Sequence, residues 1–137
     1  MITLNSGNTE YLLDAYAWIE YFLGSKEGEL VNNLIDYQII HTAIISIVEL
    51  SDKYHREDLV DEWEKRYHFI ISKSNILPCS LKIAKNSGFR KLELRKNNKS
   101  IGLVDAIIVE TASQHGLMIV TGDSHFEKID NVYFLKD

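Results

Sequence analysis

Short apolar runs alternate with amphipathic stretches along this chain, and the two periods separate strands from helices. Tyr11 to Asp14 is apolar up to its last residue and predicts a short buried strand. Tyr16 to Leu23 predicts a helix that Gly24 ends. From Glu27 to Tyr37, Leu30, Val31, Leu34 and Ile35 form the stripe of a second, amphipathic helix. Ile39 to Ile45 is rich in β-branched residues and predicts a strand, with a helix from Ser46 to about Tyr54. A charged helix follows over Glu57 to Tyr67, its stripe made by Leu59, Val60, Trp63 and Tyr67, and Phe69-Ile70-Ile71 extends it. Asn75 to Leu77, before Pro78, predicts a short strand, and Ser80 to about Leu94 a basic helix with a break near Gly88. Leu103 to His115 is apolar on nearly every side, the mark of a buried helix, and Gly116 stops it. Leu117 to Val120 and Val132 to Leu135 predict two more strands, and the polar Thr3 to Asn8 a loose lead-in.

Strands that alternate with helices predict an α/β domain with a mainly parallel sheet covered on both faces. A length of 137 residues fits one domain spanning 1–137. The single cysteine, Cys79, excludes an intrachain disulfide and reads as a small apolar packing residue. There is no basic-plus-apolar leader, and the apolar runs fall far short of the ~20 residues that span a bilayer. The expectation is a soluble, cytoplasmic protein without a membrane partner.

Charge changes this picture locally. The net charge is −5, yet Lys82, Lys85, Arg90, Lys91, Arg95, Lys96 and Lys99 stand together against Glu93 alone. A basic arm on an acidic body suits phosphate contact, with Arg90, Lys91, Arg95 and Lys96 as candidates; a solvated helix face is the alternative.

Four acids stand where an ion is costly. Asp14 ends Tyr11-Leu12-Leu13, and Glu49 sits in Ile44-Ile45-Ser46-Ile47-Val48-Glu49-Leu50. Asp105 sits within Ile101 to Val109, and Asp123 follows Leu117-Met118-Ile119-Val120-Thr121-Gly122. Carboxylates among such neighbours are hydrogen-bonded, paired or bound to metal. In an open α/β sheet, ligands gather beyond the carboxyl ends of the strands. Asp14, Asp123 and Glu49 belong there by topology, and Asp105 reaches the same edge if the following strand is parallel. Each acid also has a local explanation. Ser46-x-x-Glu49 matches a capping box, Asp105 lies in a helix first turn, and Asp14 and Asp123 suit helix caps or turns. The five histidines show no zinc-hydrolase spacing, and no glycine-rich phosphate loop or G-x-S-x-G elbow is present. A lone histidine such as His125 is more often structural than catalytic, but its place two residues after Asp123 keeps it in view.

Taken in order, Leu12 to Phe22, Ser46 to Leu50, Ile101 to Ile108 and Ile119 to Phe126 resemble the PIN-domain family, above all the VapC-type toxins of prokaryotic toxin–antitoxin pairs. The resemblance runs from about Tyr11 to Leu135. It implies a three-layer α/β/α sandwich and a ribonuclease dependent on Mg2+ or Mn2+. It places the four family acids at Asp14, Glu49, Asp105 and Asp123 as catalytic and metal-holding groups. The supporting polar residues fall at Ser46 and Thr121. Many relatives carry Ser or Thr just after the first aspartate, where this chain has Ala15 and Tyr16, and another acid after the fourth, where it has His125.

The implied chemistry is hydrolysis of RNA by in-line displacement, with metal stabilising the developing charge. Implied partners are an RNA substrate, a cognate antitoxin on exposed apolar positions of the first helices, and a second copy in a homodimer. The competing expectations are a maturation or decay nuclease without an antitoxin, a non-catalytic RNA-binding domain, and a phosphoacceptor domain.

Overall fold

A computed structural model describes residues 9–137, so the expected lead-in over Thr3 to Asn8 lies outside the described residues. Five strands form one sheet in the order β3-β2-β1-β4-β5. They are β1 (Tyr11–Leu13), β2 (Ile40–Ala43), β3 (Asn75–Leu77), β4 (Met118–Thr121) and β5 (Val132–Phe134). Every pairing is parallel, with Tyr11 opposite both Ile40 and Met118, Ala43 opposite Leu77, and Thr121 opposite Phe134. All carboxyl ends therefore share one edge.

Six α-helices cover the sheet: α1 (Ala15–Leu23), α2 (Lys26–Tyr37), α3 (Ile44–Arg56), α4 (Val60–Lys73), α5 (Leu81–Leu94) and α6 (Leu103–His115). Alternation along β1 explains the two cores. Tyr11 and Leu13 turn to one face, where Trp18, Val31, Leu50, Trp63 and Ile70 close over them. Leu12 turns to the other, against Ile108, Val109, Ala112, Ile119 and Phe126. The result is the expected α/β/α sandwich. Gly24 and Gly116 both end helices in the left-handed conformation, at φ 67° and 65°, where a side chain would be strained.

The pattern misplaces a few boundaries. The strand expected to Ile45 stops at Ala43, where β3 also ends, and Ile44 and Ile45 open α3. The β-branched run carries no mark of that switch, since Ile45 packs into the second core as well from a helix as from a strand. The helix expected from Glu57 begins at Val60, because Asp58 adopts a left-handed φ of 58°. No break occurs at Gly88, which faces open space inside a continuous α5. Cys79 is exposed rather than packed, in the turn after β3.

Candidate functional site

β1 ends at Leu13, and Asp14 follows with backbone φ −85° and ψ −179°, outside helical space. Its Oδ1 accepts the Ala17 N–H at 2.9 Å, so the carboxylate caps α1. The side chain is buried, and the Thr121 hydroxyl hydrogen-bonds it from the end of β4. Burial, with the charges of Asp123 and Glu49 behind it, pushes Asp14 up to about 7, against the lowering effect of its hydrogen bonds.

Beside β1 in the sheet, β4 runs into Gly122 and Asp123. The Thr121 hydroxyl accepts the Asp123 N–H at 3.0 Å and fixes the turn. Asp123 Oδ1 then accepts the His125 N–H at 2.9 Å and caps a short 3-10 turn over Ser124–Phe126, which the hydrophobic pattern did not predict. A Cβ on Gly122 would meet the Tyr16 ring and the Glu27 carboxylate, side-chain ends that would have to move aside. Tyr16 fills that space and donates its hydroxyl to Glu27 at 3.2 Å.

α6 brings the third acid. Asp105 Oδ2 accepts the Gly102 N–H at 2.9 Å, closing the first turn of a helix whose N-cap has no side chain of its own. The local explanations of Asp14, Asp105 and Asp123 thus hold, and the same three side chains are the ones that gather at this edge. Each gives one oxygen to a backbone amide, which holds the carboxylate in place.

Ser46 and Glu49 differ. Ala43, not Ser46, is the N-cap of α3, so the capping box does not form. Ser46 is fully buried in the first turn, and its hydroxyl has no hydrogen-bond partner among the described residues. Glu49 lies one turn on. Burial at its carboxyl end, then the charges of Asp105 and Asp123, push it up to about 7, although the residue as a whole remains exposed. The four acids therefore sense one another across the carboxyl edge, next to the β1–β4 junction where the chain's order across the sheet reverses.

His125 joins them. Its Nδ1 lies 3.0 Å from Asp105 Oδ2 and 3.6 Å from Asp123 Oδ1. Ligand atoms of Asp105, Asp123 and His125 all fall within 4.8 Å of one another, so the three are spaced to share one cation. The sequence signal for His125 was its place two residues after an acid; the 3-10 turn that aims it was not legible. A cavity of about 740 Å3 opens beside it, floored by Ile101, Val109 and Ile119 and edged by Asn97 and Asn98.

The cations of the basic helix differ in their partners. Arg90 Nε donates to the buried Glu110 Oε1 at 2.8 Å, tying α5 to α6. Burial alone would raise Glu110, but hydrogen bonds from Gln114 and Arg90 outweigh it and hold the carboxyl low. Arg90 therefore holds α5 to α6, a role the sequence does not mark because Glu110 lies on a different helix. Lys96 pairs with Glu93 at 2.6 Å in solvent, whereas Lys91 and Arg95 have no ion-pair partner among the described residues.

Donor chemistry fits a divalent cation. Hard carboxylate oxygens converge, repel one another and stay partly protonated without a counter-charge. The buried Ser46 hydroxyl, one turn before Glu49, adds a polar atom with no hydrogen-bond partner among the described residues.

Comparison with known proteins agrees with this architecture. A toxin–antitoxin complex from Klebsiella pneumoniae superposes with a TM-score of 0.70 at 26% identity, covering 93% of this chain and 98% of the other. A DNA-bound VapBC from Salmonella typhimurium gives 0.75 at 20% identity, covering 93% and 99%. VapC20 from Mycobacterium tuberculosis, described as a sarcin–ricin loop cleaving toxin, gives 0.72 at 11% identity, covering 89% and 96%. No curated protein matches the sequence significantly. The PIN domain family model matches residues 11–132. Matched across nearly its whole described length, the chain belongs to the PIN domain family.

Proposed function

We propose that this protein is a metal-dependent endoribonuclease, the toxin of a toxin–antitoxin pair, with its active site at the four acids. The observation that carries the reading is the convergence of Asp14, Glu49, Asp105 and Asp123 on one sheet edge, with two of them raised to about 7. Asp14, Asp105 and Asp123 hold the cation, Mg2+ or Mn2+. When bound, the cation supplies positive charge to the phosphodiester oxygens and acidifies nearby water. Glu49, at the rim, holds the cation or orients the attacking water and takes its proton as the phosphorus–oxygen bond to the leaving nucleoside breaks. Thr121 holds Asp14 and the Asp123 turn at once. Ser46 supports the cluster from the buried side. Lys91 and Arg95 hold phosphates of the strand, so RNA affinity falls with salt.

The antitoxin reading is supported by the superposable toxin–antitoxin complexes and by exposed apolar residues on α1 and α2, namely Leu23, Leu30 and Tyr37. Among the described residues no helix is long and apolar enough to cross a membrane.

The test is cleavage of a mixed RNA pool by purified protein with Mg2+, with Mn2+ and with EDTA, beside Asp105→Asn. Cutting that needs metal and is lost in the variant supports the reading. Metal-independent cutting, or an active Asp105→Asn enzyme, overturns it.

A further inference from the structure

The four acids leave His125 without a part in the reaction, yet it is aimed at two of them. Its side chain is only partly buried and packs no core. Its orientation comes from the 3-10 turn, whose cap uses the backbone N–H of His125, while the ring nitrogen hydrogen-bonds Asp105 Oδ2. The ring nitrogen then falls 3.0 Å from Asp105 and 3.6 Å from Asp123.

These distances have a simple meaning for a coordinated ion. Two ligands about 2.1 Å from one cation, at right angles, stand about 3.0 Å apart, and wider angles carry them to about 4 Å. Both separations fall in that window, and all three ligand atoms lie within 4.8 Å. The donor type matters as much as the position. Magnesium prefers oxygen throughout, whereas imidazole nitrogen favours the later first-row ions.

We propose that His125 is a nitrogen ligand of the cation site, beside Asp105 and Asp123, and biases the site towards first-row transition ions over magnesium. The inference rests on the metal-site reading above and adds to it a specificity-determining residue. With an oxygen donor in the place of His125, the site would discriminate little between magnesium and transition ions of similar size. With His125, it gains affinity selectively for ions that accept nitrogen.

The experiment compares the metal-free protein with His125→Ala. The variant keeps the backbone amide that Asp123 caps, so the turn survives, which circular dichroism checks. Each protein is titrated with Co2+ by visible absorption and with Mg2+ by calorimetry at one fixed pH. Loss of a direct ligand should weaken Co2+ by at least about tenfold, the loss that even an outer-shell partner causes, with little change for Mg2+. Proton NMR of the Co2+ form should show the far-shifted exchangeable ring N–H of a coordinated imidazole, absent from the variant. Equal Co2+ affinity in the two proteins, or persistence of that signal, overturns the proposal while leaving the nuclease reading intact. Failure of the wild type to bind either ion overturns both.

Discussion

Asp14 shows how a single side chain can serve the fold and the site together. Its cap on α1 and its place among the acids make different demands, and substitutions separate them. Asn caps a helix about as well as Asp, whereas Ala costs roughly 1 kcal/mol. Asp14→Ala should therefore lose both cleavage and stability, and Asp14→Asn cleavage alone. The pH response follows from the raised carboxyls. Asp14 and Glu49 hold protons to about pH 7 in the fold but release them near pH 4 when unfolded. Their contribution to stability is complete below the unfolded value and is lost as pH rises through 7. At pH 8 without metal, Asp14→Asn should melt above the wild type; with saturating Mn2+ the order should reverse. Thermal melts at pH 5 and pH 8 read both effects, and a variant that melts lower than wild type in metal-free pH 8 buffer would refute the buried-charge account. The four acids were legible as sequence because each interrupts an apolar run. The third role of that neighbourhood, the reach of His125, was not, since it depends on a 3-10 turn of three residues that leaves no periodic trace.

At the scale of elements, periodicity was a sound guide wherever one face was buried and the other wet, as in α2 and α4. It failed at the β2–α3 junction, because Ile45 packs on the core from a helix as a strand residue would, Ile44 is an exposed apolar residue, and no capping side chain marks the start. Two contacts between elements now carry predictions. Gly28 of α2 lies so near α1 that a Cβ would meet the Glu20 carbonyl oxygen. Alanine favours a helix over glycine by about 1 kcal/mol, but the obstacle is backbone and cannot swing aside. Gly28→Ala should therefore destabilise by about 1–3 kcal/mol of overpacking cost, seen in urea unfolding, despite its better propensity. Arg90→Ala should cost about 1–3 kcal/mol by stranding the Glu110 carboxylate between α5 and α6. Lys91→Ala, one residue on, should leave unfolding unchanged and reduce the salt dependence of RNA binding by about 0.7 in log–log slope. If Lys91→Ala unfolds as readily as Arg90→Ala, the division of the basic helix is wrong.

Over the whole molecule, two surfaces stand apart from the charged remainder. One is the apolar edge of α1 and α2 already assigned to the antitoxin. The other runs along α5, where Leu81, Phe89 and Leu92 are 87%, 68% and 64% exposed. Large apolar side chains left bare in a row mark an interface. We predict that the second copy implied by the family resemblance docks there. Sedimentation should give a dimer for the wild type and a monomer for the Phe89→Glu, Leu92→Glu double variant, with the melting curve retained. A wild-type monomer at micromolar concentration refutes the dimer. The sequence showed the fold class and the common edge of the acids, because strands that alternate with helices run parallel and share one carboxyl edge. It was silent about which helix faces stay bare, since apolar stripes look alike whether they meet a sheet or a partner.

The backbone caps on the acids have one further consequence. The amide protons of Ala17, Gly102 and His125 each point at a carboxylate of the cluster. Any ion that draws electron density from those oxygens must shift those three resonances, and each amide belongs to a different acid. A nitrogen-15 spectrum of the unmodified protein would thus report occupancy at Asp14, Asp105 and Asp123 separately, with no dye, no substrate and no mutation.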